Sequence, residues 1–138
     1  MAQMRKINHV GVAVRDADAA ARFYAEALGL TVEHVEVVER EGVKTVFLPI
    51  GESTIELVEP TGPDSPVAKA IEKRGEGIHH LCFEVEDIDA MLSELGPRGA
   101  VIGEPVARPG AHGTRVAWLH PKVTGGVLIE LAEKVRGH

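Results

Sequence analysis

Polar and apolar residues alternate along residues 7–14. Val10, Val12 and Val14 fall on one side, and His9, Gly11 and Ala13 on the other. A period of two is that of a strand with one buried face. The same alternation returns about half a chain later, where Leu81, Phe83 and Val85 form the apolar side and His80, Cys82 and Glu84 the other. Each strand runs into an aspartate that opens a helical pattern, since its carboxylate accepts from N–H groups left open in the first turn. The first helix is predicted over residues 17–28, with Ala20, Phe23, Ala27 and Leu28 inward and Gly29 as its stop. The second is predicted over 88–95, with Ile88, Met91, Leu92 and Leu95 inward and Gly96 after it. Three more strands are predicted per half: near 31–39, 43–50 and 53–59, then near 100–107, 114–120 and 126–133. Between the halves, Asp64-Ser65-Pro66 reads as a helix start and Gly75 as a stop, which predicts a short helix over 66–74.

The two halves echo each other in residue identity as well as in pattern. Ile7/Ile78, His9/His80, Val14/Val85, Asp16/Asp87 and Asp18/Asp89 match at an offset of 71 residues. "IELVE" at 55–59 returns as "IELAE" at 129–133 at nearly the same offset. Two echoes in the same order indicate a duplicated unit of order β-α-β-β-β. The expected organisation is a single α+β domain over 1–138, with a first module at 5–60, a helical linker at 61–77 and a second module at 78–133.

Composition narrows the function. A chain of 138 residues suits one compact domain or two very small ones in close contact, and 44% hydrophobic with 26% charged residues is an ordinary globular mix. The net charge of −6 argues against nucleic acid as a partner, although a local basic patch could take an anionic small molecule. Cys82 is the one cysteine, so an internal disulfide is impossible and a reducing compartment fits. "MAQMRKIN" has no apolar signal region, and no stretch approaches the roughly 20 apolar residues of a membrane span. A soluble, cytoplasmic protein without membrane contact is expected.

Pairing the duplicated units about a pseudo-two-fold would set the two histidine faces across a cleft. If the first and last strands of each unit adjoin, that cleft holds His9, Glu56, His80 and Glu130. Two imidazoles and two carboxylates form an N/O donor set for a divalent transition metal. A single strand histidine is more often structural, and a glutamate between Ile and Leu is more often solvated. The symmetry of two such pairs is what points to a metal. His79 must face away from His80, and Cys82 shares the His80 face without a matching thiol. His112 lies in the Gly-rich loop "RPGAHGTR", either over a ligand or in a turn, and His120 in "HPK" reads as a strand-end residue. No Walker, GxGxxG, GxSxG or HExxH motif is present.

With "INHVGVAV", "EPTGPDSPVAKAIEKRGEGIHHLCFEV" and "HPKVTGGVLIEL", the chain resembles the vicinal oxygen chelate superfamily and, within it, the methylmalonyl-CoA epimerases, over about residues 5–133. The resemblance implies tandem βαβββ modules forming a cupped, incomplete barrel-like sheet around a metal. His9, His80 and Glu130 fall on the family's ligand positions, and Glu56 on a fourth that is often Gln. The implied activity interconverts (R)- and (S)-methylmalonyl-CoA by moving the C2 proton through a metal-stabilised enolate. Glu130 is the expected acid/base group on one face, and Glu56, related to it by the repeat, is the expected catalytic group on the other. Cobalt is the first expectation for the metal, with nickel, manganese, iron or zinc as alternatives. The implied partners are an acyl-CoA substrate and a second copy of the chain in a homodimer. Lys44, Lys69, Lys73, Arg74 and Lys122 are candidates for the coenzyme's phosphates by position. Two features depart from the pattern. Glu56 matches the four-ligand set of glyoxalase I, which keeps a lyase acting on a hemithioacetal as an alternative, beside a metal-free binding protein. Thr45 stands where some epimerases carry a further acid.

Overall fold

Residues 3–135 are described in the computed structural model. They form eight strands, three α-helices and short 3-10 turns, an α+β fold. Chain contacts divide them into two compact units: residues 9–79, and the residues up to Asn8 together with those from His80 onward.

The first unit holds residues 9–13 of β1 (Met4–Ala13), then α1 (Ala17–Glu26), β2 (His34–Val38), β3 (Val43–Ile50), β4 (Ser53–Pro60) and α2 (Pro66–Arg74). Its strand order is β2-β3-β4-β1, with β1 parallel to β4 and the other pairs antiparallel. One sheet face packs on α1 through Val46, Leu48, Leu57, Ala17 and Ala21. The second unit takes residues 4–8 of β1 and residues 80–85 of β5 (Gly77–Val85), whose residues 77–79 fall in the first unit, and adds α3 (Ile88–Leu95), β6 (Arg108–Pro109), β7 (Thr114–Leu119) and β8 (Ile129–Lys134). Its order is β1-β5-β8-β7-β6, with β5 parallel to β8. Ile88, Met91 and Leu92 of α3 pack on Val85, Ala117, Leu119, Ile129 and Leu131, as the apolar spacing requires.

The duplication extends to the helix ends. Asp16 accepts from the Ala19 N–H, and Asp87 from the Ala90 N–H, both at 3.0 Å. The last residue of each "IEL" echo completes the turn. Glu59 accepts from the Ala17 N–H at 2.8 Å, and Glu133 from the Ile88 N–H at 2.7 Å. These carboxylates satisfy open donors and sit at the positive end of the helix dipole. A surface ion pair repeats too: Lys44 with Asp18 at 2.9 Å, and Arg115 with Asp89 through both guanidinium nitrogens at 2.8 and 2.9 Å. Each pair raises the cation's pKa by hydrogen bonding to its carboxylate, and the Arg115 contact lowers that of Asp89.

Several expectations need correction. Phe23 and Leu28 are not core: they are 61% and 56% exposed. The inner stripe of α1 is Ala17, Ala20, Ala21 and Tyr24, spaced three and four apart, so the ring that packs is the tyrosine. The helix stops at Glu26, and Gly29 follows with φ 77°. The strand expected over 100–107 is absent. Val101 makes an isolated bridge to Leu119, and regular pairing resumes only at Arg108 and Pro109. Gly103, at φ 76°, turns the chain out of extended conformation, and Pro105 has no N–H to give a ladder. The strand expected from 126 starts at Ile129, because Gly125 and Gly126 both take positive φ. The linker helix and α3 fall where the sequence placed them.

Candidate functional site

Sheet register decides which side chains share a face. In the first unit β3 pairs Phe47 with Glu56 and Thr45 with Val58, β1 pairs Gly11 with Glu56, and β2 pairs His34 with Phe47 and Glu36 with Thr45. Since partners in register project to the same side, the face away from α1 carries His9, Glu56, Thr45, Phe47, His34 and Glu36. His9 and Thr45 are buried. His9 Nδ1 lies 2.9 Å from Glu56 Oε2. A neutral imidazole with its proton on Nδ1 donates it to that oxygen, which orients the ring, leaves Nε2 as the lone-pair atom and leaves Glu56 a second oxygen.

The second unit repeats the plan. Its face away from α3 carries His80, Cys82 and Glu84 of β5, Glu130 and Ala132 of β8, and Val116 and Trp118 of β7. His80, Cys82, Glu84 and Glu130 are all buried. His80 Nε2 lies 3.6 Å from Glu130 Oε1. Two ligand atoms each about 2.1 Å from one ion, at angles of about 90–110°, lie about 3.0–3.4 Å apart. The His80–Glu130 spacing is slightly wider than this, and the His9–Glu56 contact is a hydrogen bond through Nδ1 that leaves Nε2 as the ligand atom; the N/O chemistry of both pairs fits a divalent metal. The Trp118 ring meets His80 nearly edge to face, with centroids 4.9 Å apart, and holds the imidazole plane.

The remaining candidates separate clearly. Cys82 is the register partner of Glu130 and packs against Val116 and Ala132. His79 points away from His80 and lines a small recess with Ala70 and Arg74, where burial first and the Arg74 charge second lower its pKa. His120 is an exposed strand-end residue leading into a short turn at Pro121–Val123. The side chain of His112 is outside the described residues. Of the proposed phosphate contacts, Lys44 is engaged with Asp18, while Lys69, Lys73, Arg74 and Lys122 are exposed. The sequence reading placed Glu84 on the His80 face without assigning it a partner, and it passed over Trp118 and Glu36. Glu84 is buried and accepts from Asn8 Nδ2 at 3.0 Å, Trp118 braces His80, and Glu36 shares the face of Thr45. Only alternation along β2 and β5 could have signalled the two glutamates.

Residues 8–118 match the model of the Glyoxalase/Bleomycin resistance protein/Dioxygenase superfamily. An ethylmalonyl-CoA/methylmalonyl-CoA epimerase of Cereibacter sphaeroides is 42% identical over 130 residues, covering 93% of this chain and 97% of that one. The human mitochondrial methylmalonyl-CoA epimerase is 40% identical over 129 residues, covering 93% and 73%. A solved methylmalonyl-CoA epimerase in complex with methylmalonyl-CoA and NH4+ superposes with a TM-score of 0.91 at 38% identity, over 97% of both chains. The chain belongs to this superfamily and, within it, to the methylmalonyl-CoA epimerase family. Among the described residues no helix is long and apolar enough to cross a membrane.

Proposed function

We propose that this protein interconverts the (R) and (S) epimers of methylmalonyl-CoA in a metal-dependent reaction, with His9, Glu56, His80 and Glu130 holding one divalent ion. The observation that carries this reading is the pair of His–Glu contacts, 2.9 and 3.6 Å, at repeat-related positions on matching sheet faces. The names of the relatives supply the substrate. Cobalt remains the first expectation, and a homodimer in the cytoplasm belongs to the same proposal.

The C2 hydrogen lies between a thioester carbonyl and a carboxylate, so its removal leaves an enolate. Bound at this donor set, a divalent ion supplies Lewis acidity that offsets charge building on the thioester oxygen. Glu130 takes the C2 proton from one face. Its burial beside Trp118 excludes bulk water, which strengthens the electrostatics of the step. His9 and His80 hold their carboxylate neighbours in place. Glu56, the repeat-related carboxylate, could serve the other face only by releasing its hold on His9 and the ion.

The test is C2 proton exchange and epimer inversion in deuterated water, with and without a chelator. Both are expected, and both are expected to disappear on chelation and return with added metal. Inversion that survives complete metal removal would overturn the metal site. Activity on methylglyoxal with glutathione, without inversion of methylmalonyl-CoA, would move the protein to the glyoxalase I reading.

A further inference from the structure

The outer strands of the two units are not alike. β6 is two residues long and includes Pro109, whereas β2 runs over His34–Val38 with no proline, glycine or lysine. β2 pairs with β3 on one side, and among the described residues no strand follows it on the other. Such an edge presents a row of backbone donors and acceptors to any strand that can lie along it, and proteins ordinarily interrupt it with proline, lysine or a covering helix. Here α1 stops short of it, because its apolar stripe packs on Val46 and Leu48 of β3 and Leu57 of β4. Val35 is the register partner of Val46, so Val35 and Val37 share that face one strand further out, and they stay 46% and 55% exposed.

The sequence of β2 complements itself. Two copies of a strand can pair antiparallel about a two-fold axis perpendicular to the sheet, and their faces match only when that axis passes through a residue. An axis at Val35 sets His34 opposite Glu36 of the partner subunit, twice over, on one face. On the other face it sets Val35 opposite Val35 of the partner subunit. An axis at Glu36 would instead set two carboxylates against each other. Directly opposed side chains stand about 4.5–5.5 Å apart at Cβ, so charge selects the first register. Within one chain His34 Nε2 already lies 3.4 Å from Glu36 Oε1. Pairing at Val35 gives each carboxylate one imidazole on its own strand and another across the axis. The exposed valines of both copies then form one apolar strip between the two α1 helices.

We propose that β2 is a docking edge for a second copy of this chain, joined antiparallel about Val35 with His34 and Glu36 as the groups that fix register. The proposal rests on the homodimer put forward above, to which it gives an interface, and it does not depend on the reaction. Five residues in register supply about four to six backbone hydrogen bonds across the axis. The area is smaller than the standard interface of about 800 Å² per partner, so the association is of the concentration-dependent kind. The second unit cannot join in the same way, because β6 offers Pro109, which has no N–H, and Arg108, which would bring like charges together.

The experiment follows the full-length protein by analytical ultracentrifugation between about 1 and 300 µM, a range suited to so small an interface. Amide hydrogen exchange is read at both ends of that range. The parent is expected to dimerise as concentration rises, with the amides of residues 33–37 gaining protection in step. H34E, which opposes carboxylate to carboxylate, should weaken dimerisation by at least about tenfold, and H34E/E36K, which exchanges the signs, should return it to within about threefold of the parent. Both side chains are partly exposed, so the variants should keep the parent's circular dichroism and thermal midpoint. A dimer whose β2 amides exchange equally fast at both concentrations would overturn this interface and leave the homodimer standing; this reading needs no variant. H34E dimerising as well as the parent, or H34E/E36K failing to recover while folded, would overturn the register. A parent that stays monomeric throughout removes the homodimer as well, and turnover of methylmalonyl-CoA by that monomer would leave the epimerase reading untouched.

Discussion

The first and second units start from one plan and part at their edges. Both cap the helix after the first strand with an aspartate, back it with a glutamate from the last strand and tie it to the facing strand with an ion pair. Both set an imidazole beside a carboxylate on the opposite face. The outer strands differ: β2 has five residues and presents His34 and Glu36, whereas β6 has two and presents Arg108. Thr45 and Phe47 stand where Val116 and Trp118 stand at the 71-residue offset. Features that hold the helix on the sheet have been kept in duplicate, and chemistry has diverged where the framework did not depend on it.

The largest expected effect asks whether the halves contribute equally to the ion. His9→Ala and His80→Ala should each lower metal affinity by at least about a hundredfold, since even partners outside the ligand shell are worth 10–100-fold. Metal content after dialysis, by mass spectrometry, reads this directly. Loss from one variant alone would make the site the property of a single half. The next effect concerns the helix ends. Glu59→Gln and Glu133→Gln should each cost about 1 kcal/mol in urea unfolding, because a charged acceptor at the helix start becomes a neutral one. Unequal losses would show that the duplicated contact has been retuned.

The smallest effect is electrostatic. Arg115 depresses the pKa of Asp89, so the folded state holds its proton less tightly than the unfolded chain. Its stabilisation is complete above the ordinary carboxylate pKa of about 4 and fades as pH falls through the lower folded value. The difference in thermal midpoint between the parent and Asp89→Asn should therefore be present at pH 6 and shrink toward pH 3. Asp89 is exposed, so the difference should be slight. A difference that persists unchanged at pH 3 would separate this pair from proton binding.

The duplicated parts were the legible ones. Alternation, cap residues and echoed strings located β1, β5, both linker-flanking helices and the strand faces that carry the two His–Glu contacts, because each rests on local chemistry repeated in sequence. The exposed Phe23 was misread because the helical stripe is narrow and Tyr24, one residue on, fills it. The strand expected over 100–107 was misread because Val101, Ile102, Val106 and Ala107 look extended, while Gly103 and Pro105 govern the backbone. Glu36 was invisible because a charged residue on an outer strand reads as solvated until register shows what it faces.

The brevity of β6 has a consequence beyond the site. An outer strand ordinarily offers a row of open amides and carbonyls on which a foreign chain can crystallise as one more strand. Here that row is two residues long; one is a proline with no hydrogen to donate, and the other carries a permanent positive charge. The break near Gly103 and Pro105 thus leaves little template for strand addition along this edge, in the stretch where regular structure gives out.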